Sequence, residues 1–368
     1  MKIGIEAERA NMPNPAGPER YAAEIIRNLA KLDHTNEYIL YFRTKPQDWF
    51  YQLPKNFSIK VIPFPKFWTQ IRISWEMLIK PVEVLVILAA TLPLIHPRKT
   101  VVTIHDIAYE LFDGIYTGYM KYFQKFSSRY ASRFASRLIT VSEATKKDLV
   151  RVYNTDPKKI TVTLLGSAEG FKPMSYEECQ PVLDKYNLVY QKYILFLGTI
   201  QPRKNIPKLV EAFQKVRKEN RIEEKLIIAG GRGWLWEPIL KVVKTASIDG
   251  SVKYLDYIPK EDLPYLIAGA KLLTLPATYE GFGIPPLEAM ASGVPTVVSN
   301  ISSLPEVVGD AGVLVDPTSV NSIAGGLLKV IIDSDLRKQM IAKGLERAKL
   351  FTWENAAKQT LEVIESLK

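Results

Sequence analysis

The sequence has little cysteine, little histidine and no long apolar run. Among 368 residues there are one cysteine, Cys179, and three histidines. A single cysteine excludes an internal disulfide framework and a cysteine metal cluster. The longest apolar run, residues 84–95, contains a proline and is far shorter than the roughly 20 residues of a membrane-spanning helix. We therefore predict no integral membrane segment.

The N-terminus also lacks the pattern of an export signal. The chain begins MKIGIE, which enters an apparent strand without a basic start followed by an apolar stretch. We expect a cytoplasmic protein. With 47% apolar and 24% charged residues, the composition excludes collagen-like and disordered classes.

Acidic residues are scarce in the first half of the chain. Residues 1–170 hold 24 Lys+Arg and 16 Asp+Glu, a net charge of +8, whereas residues 171–368 hold 25 and 23, a net charge of +2. A basic surface can serve nucleic acid or an anionic membrane, but no nucleic-acid recognition motif accompanies it. We therefore predict no nucleic-acid partner.

Short apolar runs alternate with longer amphipathic segments, a pattern typical of parallel sheets covered by helices on both faces. The chain length suggests two domains, at roughly 150 residues each. The predicted fold is α/β, with two doubly wound Rossmann-like domains facing each other across a cleft. Predicted strands in the first domain are 1–6, 38–42, 59–62, 84–88, 99–103, 137–141 and 159–164. In the second they are 193–197, 225–229, 252–254, 272–275, 295–299 and 311–315, after a linker with a short helix at 166–187.

The densest group of candidate functional residues lies at 279–297, which reads YEGFGIPPLEAMASGVPTV. The glycines and prolines predict a loop that enters a helix, whose first amide groups can bind an anion. Glu280 precedes this helix, and we place Glu288 in its first turn. On chemistry alone, Glu288 could simply compensate the helix dipole.

This string resembles the donor-binding signature of family 4 retaining glycosyltransferases (glycosyltransferase group 1, mannosyl- and glucosyltransferase-like), which have the GT-B architecture. The resemblance implies that Glu280 lies beside the donor sugar and that Glu288 binds the ribose hydroxyls. It also implies backbone contacts to the donor from Phe282, Gly283, Ile284 and Leu287. The resemblance extends over nearly the whole chain. It implies an acceptor-side domain at 1–170, a donor-binding domain at 171–350 and a helix at 351–368 that crosses back to the first domain.

A second cluster, LGTIQPRKN at 197–205, follows a predicted strand. Two adjacent cations at a strand end suit a diphosphate that gains charge as its glycosyl bond breaks. Arg203 and Lys204 match the phosphate-binding pair of the family. The alternative for Lys204 is an exposed turn residue. Loop 230–233 and the stretch at Tyr257 resemble the parts of the family that frame the nucleotide.

The first domain offers fewer candidates. VVTIHD ends a predicted strand with His105 and Asp106, and a His at this place in the family reaches the donor sugar. The segment 14–21 resembles the glycine-containing loop that approaches the diphosphate, but Ala16 replaces one glycine, which leaves Gly17 as the candidate. The stretch VSE at 141–143, at another predicted strand end, resembles the part of the family that forms a wall of the cleft. A lone histidine such as His105 could also be structural.

Basic and aromatic residues recur every fourth position along a predicted helix from about residue 119. A step of four drifts only about 40° on a helix, so each set forms a stripe. One interpretation is an aromatic core face beside a solvated charged face, and the other is docking to an anionic membrane. The residues are Lys121, Lys125, Arg129, Arg133 and Arg137, and Tyr122, Phe126, Tyr130 and Phe134.

We therefore interpret the chain as a retaining, metal-independent hexosyltransferase. His105, Arg203, Lys204 and Glu280 are the candidate catalytic residues. The donor is a nucleotide diphosphate sugar of the UDP-glucose or GDP-mannose type, and the acceptor is a glycan or lipid-linked hydroxyl in polysaccharide or glycolipid synthesis.

Asp333 and Asp335, although spaced like a metal motif, are predicted to be structural, with Ser334 or Asp335 capping a helix. The alternatives are a nucleotide-sugar 2-epimerase of the same architecture or a non-catalytic two-domain binding protein, and the protein could be peripheral at the inner face of the membrane.

Overall fold

A computed structural model describes residues 1–13, 17–112, 118–167 and 169–368. The chain divides into two compact units. The first, called the N-terminal domain here, comprises Met1–Gly166 together with Thr352–Lys368, and the second, the C-terminal domain, comprises Ser167–Phe351. Residues Asn14 to Ala16, which the sequence places in a glycine-containing loop, lie outside the described residues.

The described residues of the N-terminal domain form a seven-stranded, wholly parallel sheet in the order β3-β2-β1-β4-β5-β6-β7. Val84 to Ile87 are all buried, as expected for a strand covered on both faces. The strands are β1 (Lys2–Glu6), β2 (Glu37–Phe42), β3 (Phe57–Val61), β4 (Val84–Ile87), β5 (Lys99–Ile104), β6 (Arg137–Thr140) and β7 (Ile160–Val162).

Helices cover this sheet. They are α1 (Gly17–Leu32), α2 (Ser74–Ile79), α3 (Ala108–Leu111), α4 (Gly118–Phe134) and α5 (Glu143–Tyr153). Short 3-10 helices span Glu8–Asn11, Asp48–Gln52 and Pro157–Lys159, and a π-helix spans Trp68–Ile73. Apolar residues of α1 such as Ile25, Ile26 and Leu29 are buried, so this helix packs by one amphipathic face.

The C-terminal domain repeats the architecture with a six-stranded parallel sheet, counted over its described residues, in the order β10-β9-β8-β11-β12-β13. The strands are β8 (Tyr193–Leu197), β9 (Lys225–Ala229), β10 (Val252–Leu255), β11 (Leu272–Leu275), β12 (Thr296–Ser299) and β13 (Gly312–Val315). The strand order reverses between β8 and β11, and ligands of such sheets bind outside the carboxyl ends of the strands at this point.

The first helix of this domain is α6 (Tyr176–Lys185). Ser175 and Glu178 form a capping box at its N-terminus. Two further short 3-10 helices span Pro202–Lys204 and Gly309–Ala311. The remaining helices are α7 (Ile206–Asn220), α8 (Trp236–Ala246), α9 (Leu263–Ala268), α10 (Ile284–Ala291), α11 (Leu304–Val308), α12 (Val320–Ile332) and α13 (Ser334–Ala348).

The last helix, α14 (Trp353–Glu365), belongs to the N-terminal domain. Thr352 caps it, since its side chain accepts a hydrogen bond from the Asn355 amide. Its buried face includes Trp353, Ala356 and Ile364, and the helix packs against α1. The chain therefore leaves the N-terminal domain at Gly166 and returns to it at Thr352.

Two local predictions are wrong. Asp333, rather than Ser334 or Asp335, caps α13, because its carboxylate accepts the amide hydrogen bonds of Asp335 and Leu336. The aromatic stripe of α4 is not a core face: Tyr122 is 73% exposed, and Phe126 and Phe134 are half exposed. Small residues take that place, since the buried positions of α4 are Ser127, Ser128, Ala131 and Ser132.

Helix length and hydropathy bear on membrane insertion. None of the helices within the described residues has both the length and the apolar character that crossing a bilayer requires.

Candidate active site

Residues from two neighbouring strand ends meet at the edge where the C-terminal sheet reverses its order. The 3-10 helix Pro202–Lys204 follows β8, and the loop with Glu280 follows β11, its neighbour in the sheet. Backbone hydrogen bonds join the two segments, since the Thr278 amide donates to the Arg203 carbonyl at 2.8 Å. Side chains 76 and 77 positions apart in the chain are thereby brought into contact.

Arg203, Lys204 and Glu280 form a buried ionic triad. Arg203 Nη1 lies 2.9 Å from Glu280 Oε2, and Lys204 Nζ donates to Glu280 Oε1. Arg203 Nη1 also donates to the Tyr279 carbonyl at 2.9 Å. Lys204 is buried, which excludes the alternative of an exposed turn residue. Two cations against one carboxylate leave the triad with an excess of one positive charge.

Glu280 is 6% exposed, yet it stays ionised. Burial raises the pKa of its carboxyl group, but the charges and hydrogen bonds of Arg203 and Lys204 outweigh burial and hold the pKa below its usual value. At neutral pH this side chain is therefore a hydrogen-bond acceptor and cannot donate a proton.

Two serines that the sequence analysis missed hold the Glu280 loop. The Glu280 amide donates to Ser302 Oγ at 3.0 Å, while Ser303 Oγ donates to the carbonyls of Glu280 and Phe282, at 2.9 and 2.5 Å. Ser302 itself has a left-handed backbone, with φ of 60°, which is uncommon for a residue other than glycine. The sequence offered one signal for these serines, which is their position just after the end of the strand β12.

Gly283 sets the turn from this loop into α10. Its φ is 121°, and a Cβ built there would lie 2.7 Å from Leu304 Cδ2, so both backbone and space require glycine. Ile284 is the first helical residue, and the Leu287 amide donates to the Gly283 carbonyl at a long 3.4 Å. Phe282, Gly283 and Ile284 therefore lead directly into a helix N-terminus, where backbone amides face an anion.

Glu288 lies deeper than predicted. It is the fifth residue of α10, not part of the first turn, and it is buried. A buried carboxylate in the second turn does not fit a solvated acid that compensates the helix dipole, because that effect is confined to the helix end. The prediction of a first-turn position is thus wrong, because Glu288 is the first residue of the second turn.

The loop after β9 approaches the loop after β8 closely. A Cβ on Gly230, whose φ is 139°, would lie 2.2 Å from the Gly198 carbonyl oxygen. Nearby, Arg232 pairs with Asp256 at 3.2 Å and stacks over the Trp236 ring. Tyr257 is exposed, and its amide donates to the Asp256 side chain at 2.9 Å.

Asn205 is a third residue that the sequence analysis did not single out. It has a left-handed backbone, with φ of 59°, between the 3-10 helix of Arg203 and Lys204 and the start of α7. Its buried amide donates to the carbonyls of Pro276 and Pro317, at 3.0 and 2.7 Å. Asn205 thus fixes the turn that presents the two cations.

In the N-terminal domain, His105 follows β5 directly. Its Nε2 lies 3.0 Å from the Leu88 carbonyl oxygen, and since a carbonyl only accepts, Nε2 carries the proton. Burial lowers the pKa of His105 more than the hydrogen bond to Leu88 raises it. The ring is therefore neutral at pH 7, and its Nδ1 is a hydrogen-bond acceptor.

Other residues of the N-terminal domain fix this histidine. The Tyr21 ring, from α1, meets the His105 ring edge to face at 4.8 Å, and Thr145 Oγ1 donates to the His105 carbonyl at 3.1 Å.

The other predicted residues of this domain lie at helix starts. Gly17 is the first residue of α1. Asp106 accepts the amide hydrogen bond of Ala108 at the start of α3, and Ser142 caps α5.

Within the part of the chain that the structure describes, no group of three or more His, Cys, Asp or Glu side chains could hold a metal ion.

The two parallel α/β domains have the GT-B fold, as predicted. Residues 15–166 match the model of Glycosyltransferase Family 4, and residues 184–347 match that of Glycosyl transferases group 1. The chain belongs to glycosyltransferase family 4.

Curated relatives match over parts of their length. The chain is 43% identical over 230 residues to O-antigen chain mannosyltransferase B of Escherichia coli, covering 62% of this chain and 60% of that protein. It is 30% identical over 273 residues to the serotype-specific mannosyltransferase WbdA of Escherichia coli, covering 72% of this chain and 33% of that one. The matched segment thus spans less than two thirds of either relative.

Solved structures match over the whole chain. WaaG, a glycosyltransferase involved in lipopolysaccharide biosynthesis, superposes with a TM-score of 0.76 at 17% identity, covering 99% of both chains. Anabaena Alr3699/HepE in complex with UDP-glucose superposes with a TM-score of 0.78 at 17% identity, covering 100% of both. At these identities the likeness establishes the fold.

Proposed function

We propose that this protein is a retaining glycosyltransferase that moves a hexosyl group from a nucleotide diphosphate sugar to a hydroxyl of a glycan or lipid-linked acceptor. The observation that carries the proposal is the buried triad of Arg203, Lys204 and Glu280 beside the N-terminus of α10. Its net positive charge and the adjacent helix amides suit a diphosphate.

Charge development at the leaving group explains why the cations are needed. As the glycosyl bond breaks, the diphosphate gains negative charge, and preorganised cations stabilise that charge more in a buried site than in water. Arg203 and Lys204 supply positive charge at a place where a divalent cation would otherwise be required. We therefore propose a metal-independent reaction.

Glu280 acts best as a positioning residue and sugar ligand. Both of its oxygens are held by cations, and its lowered pKa keeps it ionised. A carboxylate engaged in this way is a poor nucleophile until both ion pairs break, and it has no proton to give. Retention is then served by front-face attack, with the leaving diphosphate accepting the proton of the acceptor hydroxyl.

The remaining candidate residues have complementary roles in this proposal. The amides at Phe282, Gly283, Ile284 and Leu287 bind the donor, and Glu288 binds the ribose hydroxyls. His105 Nδ1 accepts a hydrogen bond from a sugar hydroxyl, since Nε2 already donates to the Leu88 carbonyl. Gly17, at the start of α1, approaches the diphosphate without a side chain.

The mannosyltransferases among the relatives favour GDP-mannose over UDP-glucose as donor. They also favour a mannose-containing polysaccharide acceptor. These relatives are named as transferases, which supports transfer over the 2-epimerase or the non-catalytic binding protein. Next to His105, Asp106 accepts the amide hydrogen bond of Ala108, which favours a structural role for Asp106 over the acid-base role that a 2-epimerase would need.

A nucleotide panel tests the proposal. GDP-mannose, UDP-glucose, GDP and UDP are each added in a thermal-shift assay, and donor hydrolysis and transfer are then measured. We expect GDP compounds to raise the apparent Tm. Lys204→Ala and Glu280→Ala should each lower turnover at least about a hundredfold, the scale of losing one positioned electrostatic group.

Matched controls come from α7, next to the site. Lys218→Ala and Glu211→Ala replace exposed residues of that helix and should retain wild-type turnover. Near-wild-type turnover in both Lys204→Ala and Glu280→Ala, or no stabilisation by any nucleotide, contradicts the proposed function.

We further propose that the N-terminal domain docks on an anionic membrane through one exposed apolar face, here called the α2–α4 face. It comprises Ile71, Trp75, Leu78 and Ile79 from the π-helix and α2, Leu94 and Ile95 from the following loop, and Tyr122, Phe126 and Phe134 from α4. Patches of this kind mark interaction sites.

Contacts join the parts of this face. The Ile95 amide donates to Ser74 Oγ at 3.1 Å, and Tyr130, from α4, donates to the Leu94 carbonyl at 3.0 Å. Phe126 and Phe134 pack against Tyr130, with ring centroids 5.8 and 4.7 Å apart. The net charge of +8 in residues 1–170 favours an anionic lipid surface as the occupant.

Only part of the basic stripe contributes charge here. Lys125 and Arg129 both pair with Glu110, at 2.9 and 3.0 Å, so these two cations share one carboxylate. Arg133 is exposed and lies 5.7 Å from the Phe134 ring. The apolar residues rather than the stripe alone therefore support docking.

A further inference from the structure

A pocket of about 360 Å³ lies at the carboxyl edge of the N-terminal sheet. Residues at the ends of β1 and β4 line it, together with the π-helix and one residue of α4. Glu6, Trp68, Gln70, Thr91 and Phe123 are among the lining side chains. None of them belongs to the candidate site in the C-terminal domain or to the resemblance described for His105 and Gly17.

Glu6 lines this pocket, and within the described part of the chain its carboxyl group forms no salt bridge. It ends β1 and is only 6% exposed. Burial raises its pKa to about 7, against the opposing effects of Arg9 and a hydrogen bond from the Glu8 backbone. Near neutral pH the group exists in both forms, so it can donate to or accept from a hydroxyl.

Gln70 gives a second, independent sign of a ligand. Both its amide nitrogen and its amide oxygen are shielded from solvent and have no hydrogen-bond partner among the residues that the structure describes. Leaving such a group unpaired destabilises the folded state, and buried polar groups are otherwise almost always satisfied. An external molecule with both donors and acceptors would satisfy both atoms.

The backbone that presents Gln70 is unusual. The π-helix begins after Phe67, which is left-handed with φ of 54°. Non-glycine residues in this region and π-helices both occur preferentially at functional sites. Trp68 is anchored, since its Nε1 donates to the Ile62 carbonyl at 2.7 Å.

Aromatic rings continue the pocket wall. Phe67 meets Tyr119 edge to face at 6.4 Å, and Tyr119 stacks on Phe123 at 6.0 Å. The lining thus combines apolar ring faces with two planar polar groups. Its two arginines, Arg9 and Arg43, are matched in number by the carboxyl groups of Glu6 and Glu8 in the same lining, so the pocket does not favour a polyanion.

We infer that this pocket binds a neutral pyranose unit of the acceptor glycan, with Glu6 and Gln70 bonding its hydroxyls and the aromatic residues covering its C–H faces. The inference rests on the proposed transfer to a glycan. A pyranose has adjacent hydroxyls that donate and accept, and apolar C–H groups on its ring faces. The volume, at the small end of ligand pockets, leaves room for a mono- or disaccharide.

Saturation-transfer NMR with α-1,2-, α-1,3- and α-1,6-mannobiose tests the inference on the full chain. We expect at least one of these probes to bind the wild type. Glu6→Gln, Gln70→Leu and Phe123→Ala should each weaken that binding at least about tenfold, as expected for loss of a bonding group. Glu37→Gln and Gln52→Leu, at exposed positions of the same domain, are the matched controls and should bind as the wild type does.

Stability separates a binding role from a structural one. Gln70→Leu removes an unpaired buried amide, so the variant should unfold at the wild-type temperature or above while losing the sugar. Phe123 is partly exposed, so its variant should also fold. Unchanged mannobiose binding in both Glu6→Gln and Gln70→Leu overturns the inference, as does absence of binding to the wild type by all three probes.

The proposed function fails on a different measurement. A thermal shift with GDP reports the C-terminal domain and should be the same in Gln70→Leu as in the wild type. Loss of mannobiose binding with the GDP shift retained supports the pocket. If neither GDP nor UDP shifts the wild type, the donor proposal fails whatever the mannobiose result.

Discussion

At the residue scale, the ionisation of a buried carboxyl group depends on neighbours that are distant in sequence. Glu280 and Glu6 both end up almost fully buried, after a strand or at its end. Glu280 contacts Arg203 and Lys204 and stays ionised, whereas burial dominates at Glu6, which pairs with no two cations of the described residues, and its pKa rises. Removing Glu280 from this buried triad should therefore cost more than removing one cation, because the first change brings two like charges together, whereas the second still leaves one cation paired with the carboxylate.

The raised pKa of Glu6 predicts a pH dependence of stability. With a pKa of about 7 in the folded state against 4.5 ordinarily, the folded protein binds this proton more tightly. The stability that Glu6 contributes is thus fully present below about pH 4.5 and is lost as the pH rises through about 7. The total is about 3 kcal/mol at 1.36 kcal/mol per pH unit.

Urea unfolding at pH 5 and pH 7.5 measures this effect. Glu6→Gln cannot ionise, so its free energy of unfolding should fall less than that of the wild type between the two pH values. Exposed Glu37→Gln should follow the wild type. Because His105 titrates in both proteins, its contribution cancels in the comparison. Parallel profiles for Glu6→Gln and wild type would refute the assigned protonation behaviour.

At the scale of elements, local pattern predicted the strands well. Each of the thirteen strands among the described residues lies within two residues of its predicted bounds at either end. Parallel strands buried on both faces are continuous apolar runs, a signal that depends on few residues. The buried face of α4 was harder to predict, because the spacing of its aromatic residues fits a buried stripe and an exposed stripe equally. Serines and alanines pack inward instead.

The loop into α10 shows how one backbone angle determines an element. Gly283→Ala should destabilise the protein by about 1–3 kcal/mol, since alanine is strained at its φ of 121° and its Cβ meets Leu304. For domains of 150–250 residues, about 2–4 °C of apparent Tm is lost per kcal/mol. Calorimetry should show this loss, together with weaker nucleotide binding.

Gly325→Ala is the control for this change. Gly325 lies inside α12, and a Cβ there has no neighbour within 4 Å. Because alanine favours a helix over glycine, this variant should be as stable as the wild type or more so. Equal Tm values for Gly283→Ala and the wild type would show that the loop does not require glycine.

At the scale of the whole molecule, the charge and the exposed apolar surface are unevenly distributed. The excess of basic residues lies in residues 1–170, and the α2–α4 face belongs to the same domain. The C-terminal domain, which holds the ionic triad, carries little net charge. Membrane docking is thus expected to depend on the N-terminal domain and donor binding on the C-terminal one.

Co-sedimentation with vesicles of phosphatidylethanolamine and phosphatidylglycerol tests docking. The double variant Trp75→Ser with Phe126→Ser should bind at least about tenfold more weakly, because buried apolar area provides much of the affinity of interfacial surfaces. Arg133→Ala should weaken binding by a smaller factor that shrinks at high salt.

Tyr51→Ser and Ile248→Ser remove exposed apolar residues outside this face and should bind vesicles as the wild type does. If the double variant sediments like the wild type, the α2–α4 face does not dock on membranes. If the wild type is instead a dimer that the double variant breaks, with no vesicle binding, the occupant of the face is a second copy of the chain.

The sequence by itself determined the strands, the fold class, the family and the residues that bear charge at the strand ends. These follow from local composition and short motifs, which each segment carries independently of the rest. Only the tertiary structure decided which of those groups meet. It joined Glu280 to Arg203 and Lys204, placed Ser302 and Ser303 behind the loop, set Glu288 in the second turn of α10, and left the Gln70 amide without a partner among the described residues. The physical reason is that burial and pairing depend on contacts between segments far apart in the chain, and these fix the ionisation and hydrogen bonding of each group.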